Sequence, residues 1–226
     1  MTLRATAPSS NHLSIPLLAA RVAFASSAVC LVLLAALHVI KPELDPSWRL
    51  VSEYAIGTHG WVMTLCFLAQ SLGCAALFIA IRSQVRGWVG YLGLFLLLTA
   101  ALAPAMAAVF PSDPITISPA EVSATGHMHV LSAMIGIPSL PIAAMLISFH
   151  LARQPAWSSK RGPILWSAVA ALFAFVLMVA QRRVQLPQRG TFGPEVLIGW
   201  PNRFLILTYC GWVMTLGWQA AKLARS

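Results

Sequence analysis

A chain of 226 residues that is 58% hydrophobic and only 9% charged is not an ordinary soluble domain, in which about a quarter of residues carry charge. Its 15 basic and 6 acidic residues leave a net charge of +9. The bases are spread between apolar runs, so the excess reads as membrane topology and contact with membrane lipids, and speaks against a nucleic-acid partner.

Residues 1–18 are rich in Ser, Pro, Asn and Thr without apolar periodicity and read as a flexible cytoplasmic tail. Residues 19–220 form the membrane domain, and 221–226 a short basic tail. Within the domain, apolar runs fall at 19–40, 60–81, 88–109, 127–149, 163–180 and 201–220. Each approaches the ~20 residues that carry a helix across ~30 Å of hydrocarbon. A helix also satisfies its own backbone hydrogen bonds, which lipid cannot do. The first run is longer than a signal-peptide core and has no convincing cleavage site, so it is expected to remain as span one. The expected fold is all-α: a bundle of six transmembrane helices in three outward-opening hairpins.

Topology follows from the bases. Arg4, Arg21, Arg82, Arg86, Arg153, Lys160, Arg161, Lys222 and Arg225 lie with the termini and the two inner loops, without one acid among them. Lys41, Arg49, Arg182, Arg183, Arg189 and Arg203 lie at the other face with all six acids. The positive-inside rule then places both termini in the cytoplasm of a cell-membrane protein. Cys30, Cys66, Cys74 and Cys210 all fall within spans, where small apolar packing is their expected role.

The three outer loops span about 41–59, 110–126 and 181–200. Asp45-Pro46, Glu53 and His59 repeat the spacing of Asp113-Pro114, Glu121 and His127, D-P-x6-E-x5-H in both cases. Both hairpins cross in the same direction, so the pattern reads as a parallel duplication. A plainer reading stands beside it. Asp before Pro suits a helix start, and Ser118 with Glu121 reads as a capping box.

Charge and imidazole beside lipid are costly, so their crowding at one face points to a site. Its candidate ligand-binding residues are His38, Asp45, Glu53, His59, Asp113, His129 and Arg203. Neutral imidazole with carboxylate suits a divalent metal, with His38, His59, His127 and His129 as candidate ligands. The plain alternative is interfacial histidines bonded to loop carbonyls. Glu53 is the candidate proton carrier, and at i,i+4 from Arg49 it is expected to pair with that residue. Arg203, in the first turn of span six, snorkels, pairs with a carboxylate or grips an anionic headgroup.

Several blocks of the chain are familiar. Pro42-x-x-Asp45-Pro46 and Val51-Ser52-Glu53-Tyr54-Ala55-x-Gly57-x-x-Gly60-Trp61-x-Met63 lead the set. Phe110-Pro111-x-Asp113-Pro114, Gly126-x-x-His129, Gly199-x-x-Asn202-Arg203 and Trp212 follow. Together they resemble the multi-pass membrane family catalogued as domain of unknown function 998. The resemblance implies six spans, favours His129 over His127 in span four, and places Asn202 where relatives usually have Glu or Gln. It carries no established activity.

The readings that follow are a membrane protein binding a lipid or small ligand at an outer His/carboxylate/Arg pocket, a metal-dependent hydrolase acting on a membrane lipid, and a structural or assembly protein without a ligand site. A haem protein is the least favoured, because histidines at one face alone do not hold two stacked haems.

Overall fold

The computed structural model describes residues 15–189 and 192–225. Residues 1–14 of the expected tail lie outside them. Six long helices carry the architecture: α1 (Leu17–Ile40), α2 (Gly60–Ile81), α3 (Gly87–Val109), α4 (Ala124–Ala152), α5 (Arg161–Arg189) and α6 (Gly199–Leu223). All are long and apolar enough to cross a membrane, and no strand occurs among the described residues.

Each helix packs against the next in sequence, and α6 returns to α1, so the six close into a ring. α6 also leans across to touch α2 and α4, which explains why Leu205, Trp212, Val213 and Leu216 are fully buried on it. Elsewhere Val32, Phe95, Leu102, Met134, Trp166 and Phe173 point outward, as lipid-facing residues must. Trp61 and Trp200 are exposed near the starts of α2 and α6, where an aromatic belt belongs.

Two boundaries differ from the hydrophobic runs. α5 continues through Gln181-Arg182-Arg183-Val184-Gln185 to Arg189, so the first part of the expected third loop is helix. Gln and Arg are good helix formers, and nothing in their chemistry stops a helix once lipid ends. α4 begins at Ala124, with Ser123 as N-cap accepting from the Gly126 N–H at 3.0 Å.

Proline shapes α4 from within. Pro141 lacks the N–H that would bond the carbonyl of Ile137 one turn earlier. The Tyr209 hydroxyl of α6 supplies that missing donor at 2.6 Å. Trp212 Nε1 donates to Ser148 Oγ at 3.0 Å one step further along the same contact.

The cysteines are free and buried, as their place in the spans implies. They also gather from distant segments: Cys30 Sγ of α1 lies 2.9 Å from Cys66 Sγ of α2. Cys210 Sγ of α6 donates to Gln70 Oε1 at 3.0 Å nearby. At the short-loop end, Gln154 Nε2 donates to Gln84 O at 2.7 Å and pins the α2–α3 turn to the end of α4.

Candidate functional site

The α1–α2 and α3–α4 connections meet at one end of the ring, and Arg203 stands under the first of them. Gly199 and Asn202 bring α6 against the first loop. The Gly199 N–H donates to Ser47 O at 2.9 Å, and any Cβ on Gly199 would strike the Pro46 carbonyl and the Trp48 nitrogen. Asn202 is buried and its Oδ1 accepts the Val51 N–H at 2.9 Å. Loop and helix are thus joined by backbone contact before any charge is considered.

Arg203, one turn into α6, is only 7% exposed. Its Nε donates to His38 Nε2 at 2.7 Å, and Nη2 to the Tyr54 hydroxyl at 3.1 Å. Nη1 donates to Arg49 O at 2.7 Å and to Gly199 O at 3.2 Å. The His38 Nδ1 faces Leu34 O at 2.7 Å. A carbonyl only accepts, so Nδ1 carries the proton and Nε2 offers its lone pair to Arg203. This fixes His38 as the neutral Nδ1–H tautomer and leaves no ring nitrogen for a metal. His38 also packs on Tyr54, ring centroids 5.2 Å apart.

Glu53 sits in a 3-10 turn, Val51–Ala55, and is 2% exposed. Its Oε1 accepts from Arg49 Nη1 at 2.7 Å and from the Ile115 N–H at 3.0 Å. Oε2 accepts from the Leu50 N–H at 3.0 Å. One carboxylate therefore ties its own turn to the second long loop, and Ser112 Oγ adds a bond to Ser52 O at 3.1 Å. The expected Arg49–Glu53 pair is present.

Lys41 was not singled out by the sequence as a site residue, yet it is only 6% exposed. Its ammonium group bonds the carbonyls of Tyr54 (3.4 Å) and Ile56. Two buried cations, Arg203 and Lys41, are thus held by neutral groups, while the nearest buried carboxylate is engaged by Arg49. Tyr54 was equally unmarked as a contact. Its place inside the Ser52-Glu53-Tyr54-Ala55 block was the available signal.

Asp113 and His129 brace the second loop. The Asp113 carboxylate accepts from Ser123 N at 2.8 Å and Ser123 Oγ at 3.0 Å, and lies so close over Gly126 that a Cβ there would collide with it. His129 is buried, bonds Phe110 O through Nδ1 at 2.8 Å and packs on Phe67. His127 is exposed and bonds the Ser123 carbonyl of its own turn at 2.9 Å. Of the two histidines, His129 faces the bundle.

The remaining candidates are not drawn in. Asp45 is exposed and accepts two bonds from Ser47, at 2.9 and 2.7 Å, which with the Arg203 charge hold its carboxyl below the usual range, but it makes no hydrogen bond to the cluster. His59 is exposed and precedes α2 with φ +65°, an uncommon conformation for a side-chain-bearing residue. Glu121 is exposed and accepts from Ser118 Oγ at 2.7 Å in a turn, so the expected capping box and its helix do not form. The two D-P-x6-E-x5-H segments thus share spacing but not placement: Glu53 is buried where Glu121 is exposed.

His38, His59, His127 and His129 are not assembled as metal ligands. Among the described residues no group of three or more His, Cys, Asp or Glu is arranged to hold a metal ion. Each of the three histidines His38, His127 and His129 has instead bonded a backbone carbonyl.

No curated protein and no solved structure matches this chain significantly. A family model does, over residues 24–219, which takes in α2 to α5, most of α1 and α6, and every residue of the polar cluster. The chain belongs to the family described as Protein of unknown function (DUF998).

Proposed function

We propose that this multi-pass membrane protein binds an anionic lipid headgroup or small anionic ligand at the long-loop end, through Arg203 and Lys41. The observation that carries this reading is the burial of both cations with hydrogen bonds to neutral groups alone. Burying a charge without a carboxylate in hydrogen-bond contact is costly, so ionisable groups persist near lipid mainly where they act. An arriving phosphate or carboxylate would offset that cost and gain charge-assisted hydrogen bonds. With the basic residues of the short-loop end and termini in the cytoplasm, the site lies toward the non-cytoplasmic side of the cell membrane.

The test is thermal unfolding of the purified chain with glycerol phosphate and with short-chain phosphatidylglycerol as probes. Binding to the folded state stabilises it by about 2.7 kcal/mol at a hundred times Kd. Lys41→Met and Arg203→Lys are expected to abolish the shift given by glycerol phosphate. No shift from either probe, or an unchanged shift in both variants, overturns the reading.

A second reading, a scaffold without a ligand, is favoured by the internal use of every Glu53 oxygen. It predicts that the same variants lower stability while no anion raises it.

A further inference from the structure

At the opposite end of the bundle, α1 and α6 open a groove beside α5. Its body, about 490 Å³, is lined by Phe24, Pro163, Met214 and Trp218 with Gly211 between them. Its mouth, about 170 Å³, shares Phe24 and Trp218 with the body and is rimmed by Arg21, Lys222 and Arg225. Gly217 lets the two helices close here, since a Cβ would sit 3.0 Å from Ala20 O. The floor is set by an aromatic pair, Phe24 and Trp218, with centroids 5.7 Å apart. Lys222 Nζ lies over the Trp218 ring at 5.2 Å, held near the mouth. α1, α5 and α6 contain no acidic residue, so the positive field of the rim is not offset along these helices.

We infer that this groove holds one anionic phospholipid, its phosphate between Arg21, Lys222 and Arg225 and an acyl chain along Phe24, Met214 and Trp218. A body that is apolar apart from Thr215 and Gln219, with a cationic mouth, matches a molecule with those two ends. A basic recess between helices at the membrane surface suits an anionic headgroup, each nearby Lys or Arg adding to its attraction. A zwitterionic lipid fills the body equally well but gains less at the mouth. This site is separate from the Arg203 cluster and does not depend on it.

Native mass spectrometry of the full chain released from mixed phosphatidylglycerol and phosphatidylcholine micelles tests it. In the Arg203→Lys background, one phosphatidylglycerol is expected to be retained per chain at the groove, in preference to phosphatidylcholine. The combined variant Arg21→Gln, Lys222→Gln, Arg225→Gln removes only exposed charges and should weaken retention by on the order of tenfold or more. Trp218→Ala should weaken both lipids. With Arg203→Lys already present, the triple variant should still weaken retention, which separates the groove from the Arg203 end. Equal retention of the two lipids, or unaltered retention in the triple variant, overturns the inference. Loss in Arg203→Lys with none in the triple variant also overturns it, and moves the lipid to the other end.

Discussion

Arg203 Nε of α6 and His38 Nε2 of α1 lie 2.7 Å apart, a hydrogen bond across 165 residues that closes the helical ring at its long-loop end. Because Leu34 O claims the other ring nitrogen, His38 meets the guanidinium as an acceptor. Arg203→Lys keeps charge but loses the fork that serves His38, Tyr54 and Arg49 together. A loss of about 2–3 kcal/mol is expected in denaturant unfolding. His38→Phe should cost about 1–3 kcal/mol, by leaving Arg203 Nε unmet. In a double-mutant cycle the pair should couple; additive losses would disprove a direct contact.

Glu53 joins two loops through one carboxylate. Glu53→Gln keeps its shape but puts an amide donor where Arg49, Leu50 or Ile115 already donates. Stability should fall by about 2 kcal/mol, and the second long loop, around Ile115, should be cut faster by protease in the folded protein. Unchanged cleavage there would refute the bridge.

Gly199 and Gly126 each stand where a methyl group meets fixed atoms: the Pro46–Trp48 backbone for the first, the Asp113 carboxylate for the second. Gly199→Ala is expected to cost about 1–3 kcal/mol because backbone must move. In Gly126→Ala, the added substitution Asp113→Ser should recover part of the loss, measured by thermal unfolding. Failure of that rescue would place the strain elsewhere.

Cys30 and Cys66, from α1 and α2, are in thiol contact. A membrane-permeant oxidant should link them, which peptide mapping under non-reducing conditions reads directly. Cys210→Ser should leave the link in place, and Cys66→Ser should abolish it. A Cys66–Cys210 product would contradict the packing of α1 on α2.

Tyr209 answers the carbonyl that Pro141 leaves free. Tyr209→Phe should cost about 1–3 kcal/mol. With Pro141→Ala already present the restored N–H competes for Ile137 O, so the same change should cost less. Equal losses in the two backgrounds would show that the proline does not create the need for Tyr209.

Some of this was legible in one dimension. Lipid sets a length and a polarity, so six apolar runs announced six helices, and the Arg49–Glu53 pair followed from local helical spacing. The Ser52-Glu53-Tyr54-Ala55 and Asn202-Arg203 blocks marked the right segments. Spacing alone misled where geometry intervened. Glu53 and Glu121 share a pattern, yet one is folded under a loop and the other faces out. His127 and His129 differ by two positions, which on a helix separates bulk from interior.

Tertiary structure alone decided the partners. That His38 would serve Arg203 and not a metal depends on α6 returning to α1, a contact no local period encodes. The burial of Lys41, the thiol contact of Cys30 with Cys66 and the donor role of Tyr209 arise the same way. Apolar patterning says which residues leave water, because lipid exposure and core burial both favour hydrophobic side chains. It does not say which face of a span meets lipid and which meets protein, and that choice placed every residue of the site.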